Sequence, residues 1–403
     1  MTPVLTIIGT RHTGNHMNKD ELRAWLRLSM SEGVGNDAAR RLLACFGSPQ
    51  AVFEQTDATL RQVVTSAQAQ ALCTVPNELA VQCVRTHHWL QHQPDRHSHA
   101  LWTLGDPHYP DALLQLADPP LLLYVAGQTS AHLGNAIAVV GSRNPTPQGV
   151  QTAAQFGEAL AAAGLCVVSG MALGVDGAAH AGALRNAPPQ VDQTSQWLTV
   201  AVVGTGLDRV YPRQHQALAQ EIALHGVLIS EYLLGTPPLA HNFPKRNRLI
   251  AALGLGTLVV EAALKSGSLI TAKQALDLGR EVLAIPGSIH ATQSHGCHAL
   301  IRQGAKLVES AQDVLEELQL APLQQTRLFT DAHESTLTDP AAGAAKTEPA
   351  LLTHMGFAPV SLDALQARSG LDAAALQAQL LTLELNGQVG RLAGGLFQRL
   401  AAV

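Results

Sequence analysis

Six short apolar runs between residues 136 and 286 constrain the fold of this chain more than any other feature. Each run is followed by enough residues for a helix, and strands that are apolar almost throughout are typical of a parallel sheet covered on both faces. The pattern predicts a doubly wound, mostly parallel, Rossmann-like α/β domain, which we place at residues 100–320. The runs are AIAVV (136–140), LCVVS (165–169), LTVAVV (198–203), GVLIS (226–230), GTLVVE (256–261) and EVLAIP (281–286).

The segments that flank this domain have different patterns. Residues 19–86 carry apolar residues at three- and four-residue spacing and predict a small helical domain of the SAM or helix-hairpin-helix kind. The His-rich stretch 87–99 has no Cys or carboxylate cluster to complete a metal shell, so it is predicted to be a solvated connector. A flexible linker is expected at 321–349, and 350–403 reads as a winged helix. Residues 1–18 are expected to be disordered or to lie upstream of the true start.

The composition limits the possible functions. With 46% hydrophobic and 14% charged residues, the chain is predicted to be packed and globular. Its apolar runs, such as LLLYVAG at 121–127, are far shorter than the roughly 20 residues of a membrane-spanning helix. The five cysteines form no CxxC pair, and no secretory signal is visible, so we expect a reducing, cytoplasmic location. A net charge of −5 argues against a protein that coats duplex DNA, so any nucleic-acid site must be local.

Glycine-rich turns follow the first three predicted strands. Backbone N–H groups in a turn that leads into a helix, together with the helix dipole, can hold an anion. The turn at Gly141, Ser142 and Arg143 and the turn that begins at Ser169 and Gly170 are therefore candidate phosphate sites, although a tight structural turn explains the first equally well. The third turn has Arg209 where a dinucleotide fingerprint has its last glycine, and the chain has no GxxxxGK[ST] motif. No cofactor is expected.

The segment HNFPKRNRLIAALG (241–254) is the most informative. It crowds Lys245, Arg246 and Arg248 into four residues at a predicted helix start, close to Phe243. Cations and helix N-terminal amides suit phosphates, and an aromatic ring offers a stacking face to an unpaired base. This combination favours single-stranded nucleic acid as the ligand.

Polar residues at the end of the fifth strand extend this candidate site. Glu261 is unfavourable beside phosphates and is expected to orient Arg246 or to cap a loop. The helix that follows is predicted to open on residues whose hydroxyls and amides can donate to another phosphate. These residues are Ser266, Gly267, Ser268 and Thr271.

Asp176 and His180 are four residues apart and could meet on one helical face. They could act as a catalytic pair or make a structural hydrogen bond. We favour the structural role, because the sequence places no nucleophile nearby.

Eight ordered motifs in the α/β domain together resemble the DprA/Smf family of DNA-processing proteins. They are VVGSR (139–143), SGMALGVDGAAHAGAL (169–184), VVGTGLDRVYP (202–212), SEYLLGTPP (230–238), FPKRNRLIA (243–251), VVEAALKSGSLITAKQAL (259–276), GREVLAIPG (279–287) and HGCHALIRQGA (295–305). The helical front domain and the winged-helix tail are similar to accessory modules of that family.

The resemblance implies a protein that is not an enzyme. It implies binding of single-stranded DNA in a basic pocket, dimerisation, and loading of the RecA recombinase onto DNA taken up in natural transformation. Residues 297–308 are the expected dimer or recombinase surface. By motif position the pocket includes Gly141, Ser142, Arg143, Ser169, Gly170, Phe243, Lys245, Arg246, Asn247, Arg248, Ser266, Gly267, Ser268 and Thr271.

Two other functions stay open at this stage. One is a nucleotide phosphoribohydrolase on a related scaffold, but such enzymes use a PGGxGTxxE stretch and this chain offers VVEAALKSGS. The other is a regulator whose winged helix binds duplex DNA, although the predicted recognition helix LDAAALQAQLLTLEL has no cation. The tail's partner is not predicted. Residues 186–197 look like an insertion relative to the family, which could alter access to the site or decorate its edge.

Overall fold

A computed structural model of the protein describes residues 17–94, 97–188, 196–320, 350–355, 359–392 and 394–400. The expected linker at 321–349 and most of the predicted N-terminal extension lie outside the described residues. So does much of the predicted insertion, at 189–195.

The described N-terminal part is helical. Four of its six described helices begin at side chains that accept from backbone N–H groups, such as Asn18 at the first and Thr65, in a capping box, at the fifth. Their apolar faces pack together around Leu26, Leu42 and Leu72. The helices are α1 (Lys19–Met30), α2 (Asn36–Phe46), α3 (Pro49–Phe53), α4 (Asp57–Leu60), α5 (Ser66–Cys73) and α6 (Leu79–Gln91).

Both ends of the His-rich stretch belong to regular elements. Helix α6 runs on to Gln91, and a strand begins at Ser98. The ring of Trp89 stacks on His99 at 4.1 Å between centroids and meets the edge of Tyr124, so aromatic contacts fix the end of α6 to the sheet. Among the described residues, no group of three or more His, Cys, Asp or Glu side chains could hold a metal ion.

The centre of the protein is a mostly parallel sheet, as predicted. Within the described chain it has nine strands in the order β1-β2-β6-β5-β4-β3-β7-β8-β9, with β1 and β2 antiparallel to their neighbours and the rest parallel. The six predicted runs are β3 to β8. The strands are β1 (Ser98–Thr103), β2 (Leu122–Gly127), β3 (Ala136–Val140), β4 (Cys166–Ser169), β5 (Thr199–Val202), β6 (Val227–Ser230), β7 (Gly256–Val259), β8 (Glu281–Ala284) and β9 (Lys306–Leu307).

Helices cover both faces of this sheet, which confirms the doubly wound, Rossmann-like class. On one face α7 packs on α8 and α13, and on the other α10 packs on α11. A Cβ atom on Gly182 would lie 2.0 Å from Ala154 O, so glycine lets α7 and α8 approach closely. The helices are α7 (Pro147–Ala162), α8 (Val175–Leu184), α9 (Gln216–His225), α10 (Asn242–Leu253), α11 (Ser268–Asp277), α12 (His295–Arg302) and α13 (Ala311–Glu317). No helix in the described ranges is long and apolar enough to cross a bilayer.

The tail is a winged helix with its own apolar core around Leu365, Leu376 and Phe397. Its hairpin lies against the start of α7, where a Cβ on Gly390 would be 2.6 Å from Pro147 Cβ. The elements are α14 (Ala350–Met355), β10 (Val360–Ser361), α15 (Leu362–Ser369), α16 (Ala373–Leu385), β11 (Val389–Leu392) and β12 (Leu396–Arg399).

Candidate functional site

The turns singled out by sequence meet at the carboxyl edge of the parallel strands. Ser142 N donates to Glu261 O at 2.7 Å, which joins the turn after β3 to the end of β7. Val175 N donates to Ser142 O at 3.1 Å, which joins the same turn to the start of α8. Helix α10 begins at this edge as well, so the predicted residues form one neighbourhood although they are far apart in sequence.

Glu261 closes the crevice between β3 and β7, where the strand order reverses. Its carboxylate accepts from Thr146 N at 2.9 Å and from Thr146 Oγ1 at 2.6 Å, at the N-cap of α7. Burial raises the pKa of Glu261, and the two hydrogen bonds from Thr146 oppose that shift. Of the two roles expected for Glu261, the observed geometry matches the loop cap. The start of α7, which sequence offered as a candidate anion site, is therefore occupied by a carboxylate of the protein itself.

The first two turns contain residues that are needed for close packing. A Cβ on Gly141 would lie 2.7 Å from Val175 Cγ2, and one on Gly170 would lie 1.8 Å from Arg246 Nη1. Ser169 is buried and its hydroxyl donates to Val139 O at 2.6 Å. Ser142 is also buried. These residues build the floor of the site and leave little of their own surface for a ligand.

Arg246 lies inside the protein, with 3% of its surface exposed. Its Nη1 donates to Val202 O at 2.6 Å. Burial lowers the pKa of Arg246 to about 10, and Asp176 acts in the opposite direction, so the guanidinium stays charged at neutral pH. Arg246 therefore fixes α10 to the carboxyl end of β5, and its expected contact with phosphate does not fit this burial.

Arg248 is also engaged within the protein. Its guanidinium is paired with the buried carboxylate of Glu231 and lies 3.9 Å from Asp118. Asn36 of the helical domain donates to the same Asp118 at 3.2 Å, so this network ties α2 to α10. The three cations of the FPKRNR segment thus do not form one surface cluster: Lys245 is exposed, and the other two are structural.

Several side chains above this floor are exposed or half-buried, and we define four of them as the rim: Arg143, Tyr211, Phe243 and Lys245. The guanidinium carbon of Arg143 lies 5.3 Å from the centroid of the Phe243 ring. The rings of Phe243 and Tyr211 are 5.6 Å apart. Arg143, Lys245 and Tyr211 are exposed, and Phe243 is half-buried. The rim therefore combines positive charge with aromatic faces.

The segment before α11 lies at the same edge. Ser266 Oγ and Ser268 Oγ are 2.7 Å apart, and Gly267 is exposed between them. Thr271 is buried, so its hydroxyl is not accessible to a ligand. Asn247 is half-buried on α10.

Asp176 and His180 have separate partners on α8. Asp176 accepts from Ala172 N at 3.3 Å, and burial raises its pKa. Thr199 Oγ1 donates to Val167 O, so it accepts from His180 Nδ1 at 2.6 Å. Burial lowers the pKa of His180 to about 3, which keeps this side chain neutral. Each residue thus has a hydrogen-bond partner other than its predicted neighbour, an arrangement that is consistent with the structural role.

Sequence reasoning missed several residues of this site. Tyr211 lies in the motif VVGTGLDRVYP (202–212), but the sequence analysis assigns it no role. An aromatic residue in the segment that follows a strand is a usable signal of a stacking site. Glu231 and Asp118 are isolated acidic residues in sequence, and nothing local indicates that they neutralise Arg248. Thr146 carries the ordinary signal of an N-cap before Pro147, but its partner Glu261 lies more than a hundred residues away.

Comparisons with known proteins agree with this architecture. Residues 100–319 match the family described as DNA recombination-mediator protein A, and residues 335–395 match the DprA winged helix domain. The protein Smf of Escherichia coli (strain K12) is 39% identical over 379 residues, which cover 92% of this chain and 94% of Smf. The DNA processing protein DprA of Streptococcus pneumoniae (strain ATCC BAA-255 / R6) is 44% identical over 218 residues, 54% of this chain and 74% of that protein.

A solved structure gives the same result. The X-ray structure of DNA processing protein A from Streptococcus pneumoniae superposes with a TM-score of 0.59 at 32% identity, covering 75% of this chain and 98% of that one. The two family models span the α/β domain and the tail, and the match to Smf covers most of the length of that relative. The chain therefore belongs to the family of DNA recombination-mediator protein A, the DprA/Smf family.

Proposed function

We propose that this protein binds single-stranded DNA at the rim and acts there as a binding protein, not as an enzyme. The observation that carries the proposal is the joint exposure of cations and aromatic rings at one sheet edge, with Arg143 5.3 Å from the Phe243 ring. Exposed cations contact phosphates without regard to sequence, and aromatic faces stack on any unpaired base. Membership of a DNA-processing family supports DNA as the ligand.

The distribution of charge favours single strands over duplex. The whole chain carries a net charge of −5, and α16, the expected recognition helix of the tail, has no Lys or Arg. Duplex binding needs many neutralised phosphates, whereas the rim offers two exposed cations together with rings that only unpaired bases can reach.

The polar residues below the rim fit a structural role better than catalysis. Asp176, His180 and Glu261 each accept or donate hydrogen bonds within the protein, and each is largely buried. A hydrolytic enzyme needs a nucleophile or a general base that can reach its substrate. These buried groups do not meet that requirement.

Competition binding with the full chain tests this proposal. Single-stranded DNA is expected to displace a labelled strand much better than duplex of the same sequence. Two phosphate-contacting cations predict a slope of log affinity against log salt of about −1.4. Equal competition by duplex would contradict the proposal, and turnover of a nucleoside monophosphate would favour the enzyme alternative.

The proposal extends to a role in the cell. A protein of a recombination-mediator family that holds single strands is suited to deliver them to the RecA recombinase, and the expected setting is cytoplasmic DNA taken up in natural transformation. Stimulation of RecA filament assembly on a strand that is already coated with a separate single-strand-binding protein would support this step. A full chain that binds single strands but leaves RecA assembly unchanged would contradict it.

We also propose a homodimer through the far edge of the sheet. An open groove of about 680 Å³ lies beside β9, the last strand of the described sheet, and it is lined by Leu264, Ile289, Ile301 and Leu307 among others. Apolar side chains beside an edge strand suit pairing with a second copy. This region includes the expected interface at 297–308.

Charge introduced into this groove tests the dimer. Leu307→Glu is expected to convert a dimer to a monomer in sedimentation experiments, because a carboxylate would be buried at the apolar contact. The matched control is Leu276→Glu, a similarly exposed leucine on α11 outside the groove. A variant that sediments like the parent would place the interface elsewhere.

A further inference from the structure

Tyr211 differs from the other tyrosines of the chain. All four tyrosines are described, and three of them use their hydroxyls within the protein: Tyr109 donates to Pro120 O, Tyr124 pairs with Thr86 Oγ1, and Tyr232 donates to Asn242 O. Tyr211 is 45% exposed, and its hydroxyl has no partner in the described part of the chain. A large aromatic ring left exposed with a free hydroxyl is not explained by packing.

Phe243, the aromatic residue that sequence favoured, is less accessible. Its ring is seated on the β5 turn, where a Cβ on Gly204 would lie 3.2 Å from Phe243 Cδ1. Arg143 lies over the ring, which leaves less of its surface for a base. The neighbouring ring of Tyr211, 5.6 Å away and tilted by 40°, offers the larger free face.

The surroundings of Tyr211 suit a nucleic-acid strand. Its ring lies 5.6 Å from the Phe243 ring, and the exposed Arg143 lies over Phe243, so a base on Tyr211 would place the adjoining phosphates near positive charge. Phe243 supports the Tyr211 ring from the side. The contact between the two rings thus places the exposed face of Tyr211 beside the half-buried ring of Phe243.

We infer that Tyr211 is a base-stacking residue of this protein and that its ring, more than that of Phe243, receives an unpaired base. The inference rests on the proposed binding of single-stranded DNA and names the residue that contacts the base. It assigns Arg143 and Lys245 to the backbone of the strand. Loss of Tyr211 therefore weakens the recognition of bases and leaves the phosphate contacts in place.

Comparison of a normal strand with an abasic strand tests this inference. Tyr211→Leu keeps an apolar side chain but removes the π face, and it is expected to weaken binding of oligothymidylate roughly tenfold, the size of one base stack. The affinity of this variant for an abasic strand of the same length should stay within about twofold of the parent's affinity. Its salt slope should also stay within about twofold of the parent's slope. Tyr211→Phe retains the ring and is the matched control, expected to bind both strands like the parent.

The outcomes separate the inference from the proposed function. If Tyr211→Leu weakens binding of both strands equally, or of neither, Tyr211 does not stack on a base. Single-strand binding by the parent is then unaffected as a proposal. If Tyr211→Phe is as weak as Tyr211→Leu, the hydroxyl and not the ring acts, which also overturns the inference. If the parent binds neither strand, the proposed function itself fails.

Discussion

Reversing both exposed charges of the rim, in the double variant Arg143→Glu with Lys245→Glu, is expected to weaken single-stranded DNA binding roughly 100-fold at moderate salt. Both side chains are exposed; Arg143 lies 5.3 Å from the centroid of the Phe243 ring, and Lys245 lies 6.0 Å from that of the Tyr232 ring. Reversal removes two phosphate contacts and adds repulsion. The salt slope should approach zero, because few counterions remain to be released.

Lys19→Glu with Arg23→Glu is the matched control for this variant. Both residues are exposed on α1, in the helical domain, and the pair changes the net charge by the same amount. It is expected to bind within about threefold of the parent, since long-range charge is screened beyond roughly 8 Å at physiological salt. Equal losses in both variants would mean that overall charge, and not the rim, governs binding.

The structure changes which cations such an experiment should use. Sequence favours Lys245 and Arg246 as the pair to reverse. Arg246 is buried against Val202 O, so Arg246→Glu would place a carboxylate where a guanidinium is required, and lost binding would report misfolding.

Gly170→Ala is expected to destabilise the α/β domain by about 3 kcal/mol, which corresponds to a fall in melting temperature of roughly 10 °C. The added methyl carbon would lie 1.8 Å from Arg246 Nη1 and 2.3 Å from Nη2. Arg246 cannot move away cheaply, because it is buried and donates to Val202 O. Thermal unfolding of the full chain, followed by circular dichroism, measures the effect.

Gly267→Ala is the control for this substitution. Gly267 is also in the candidate site, but nothing lies within 4 Å of the position of an added Cβ, and its φ of −63° suits any residue. The melting temperature of the Gly267→Ala variant is expected to match that of the parent. A Gly170→Ala protein with the same melting temperature as the parent would show that Arg246 is free to move. This result would contradict the structural role assigned to Arg246.

The fold was predictable because its signals are local. The runs of β3 to β8 are apolar almost throughout and are separated by helix-length segments, which leaves few arrangements other than a doubly wound sheet. The tail was predictable from its helices and the paired glycines of its hairpin. Strand β1 was missed because its sequence, SHALWT, lies at the end of a polar, His-rich stretch and is fixed by the stacking of Trp89 on His99.

The site was predictable in place but not in detail. Segments that follow parallel strands must meet at one edge, so sequence could bring the turns and the FPKRNR segment together. It could not show which cations face solvent, because that depends on distant partners. Glu231 neutralises Arg248 across the start of α10, and the floor of strands encloses Arg246.

We propose that single strands bind at the rim and not on the winged helix. Photo-crosslinking of a bromodeoxyuridine-substituted single strand to the full chain, followed by mass spectrometry of the peptides, tests it most directly. Adducts are expected in the segments that carry Tyr211 and Phe243. Adducts confined to the winged helix, or to the helical domain, would contradict it.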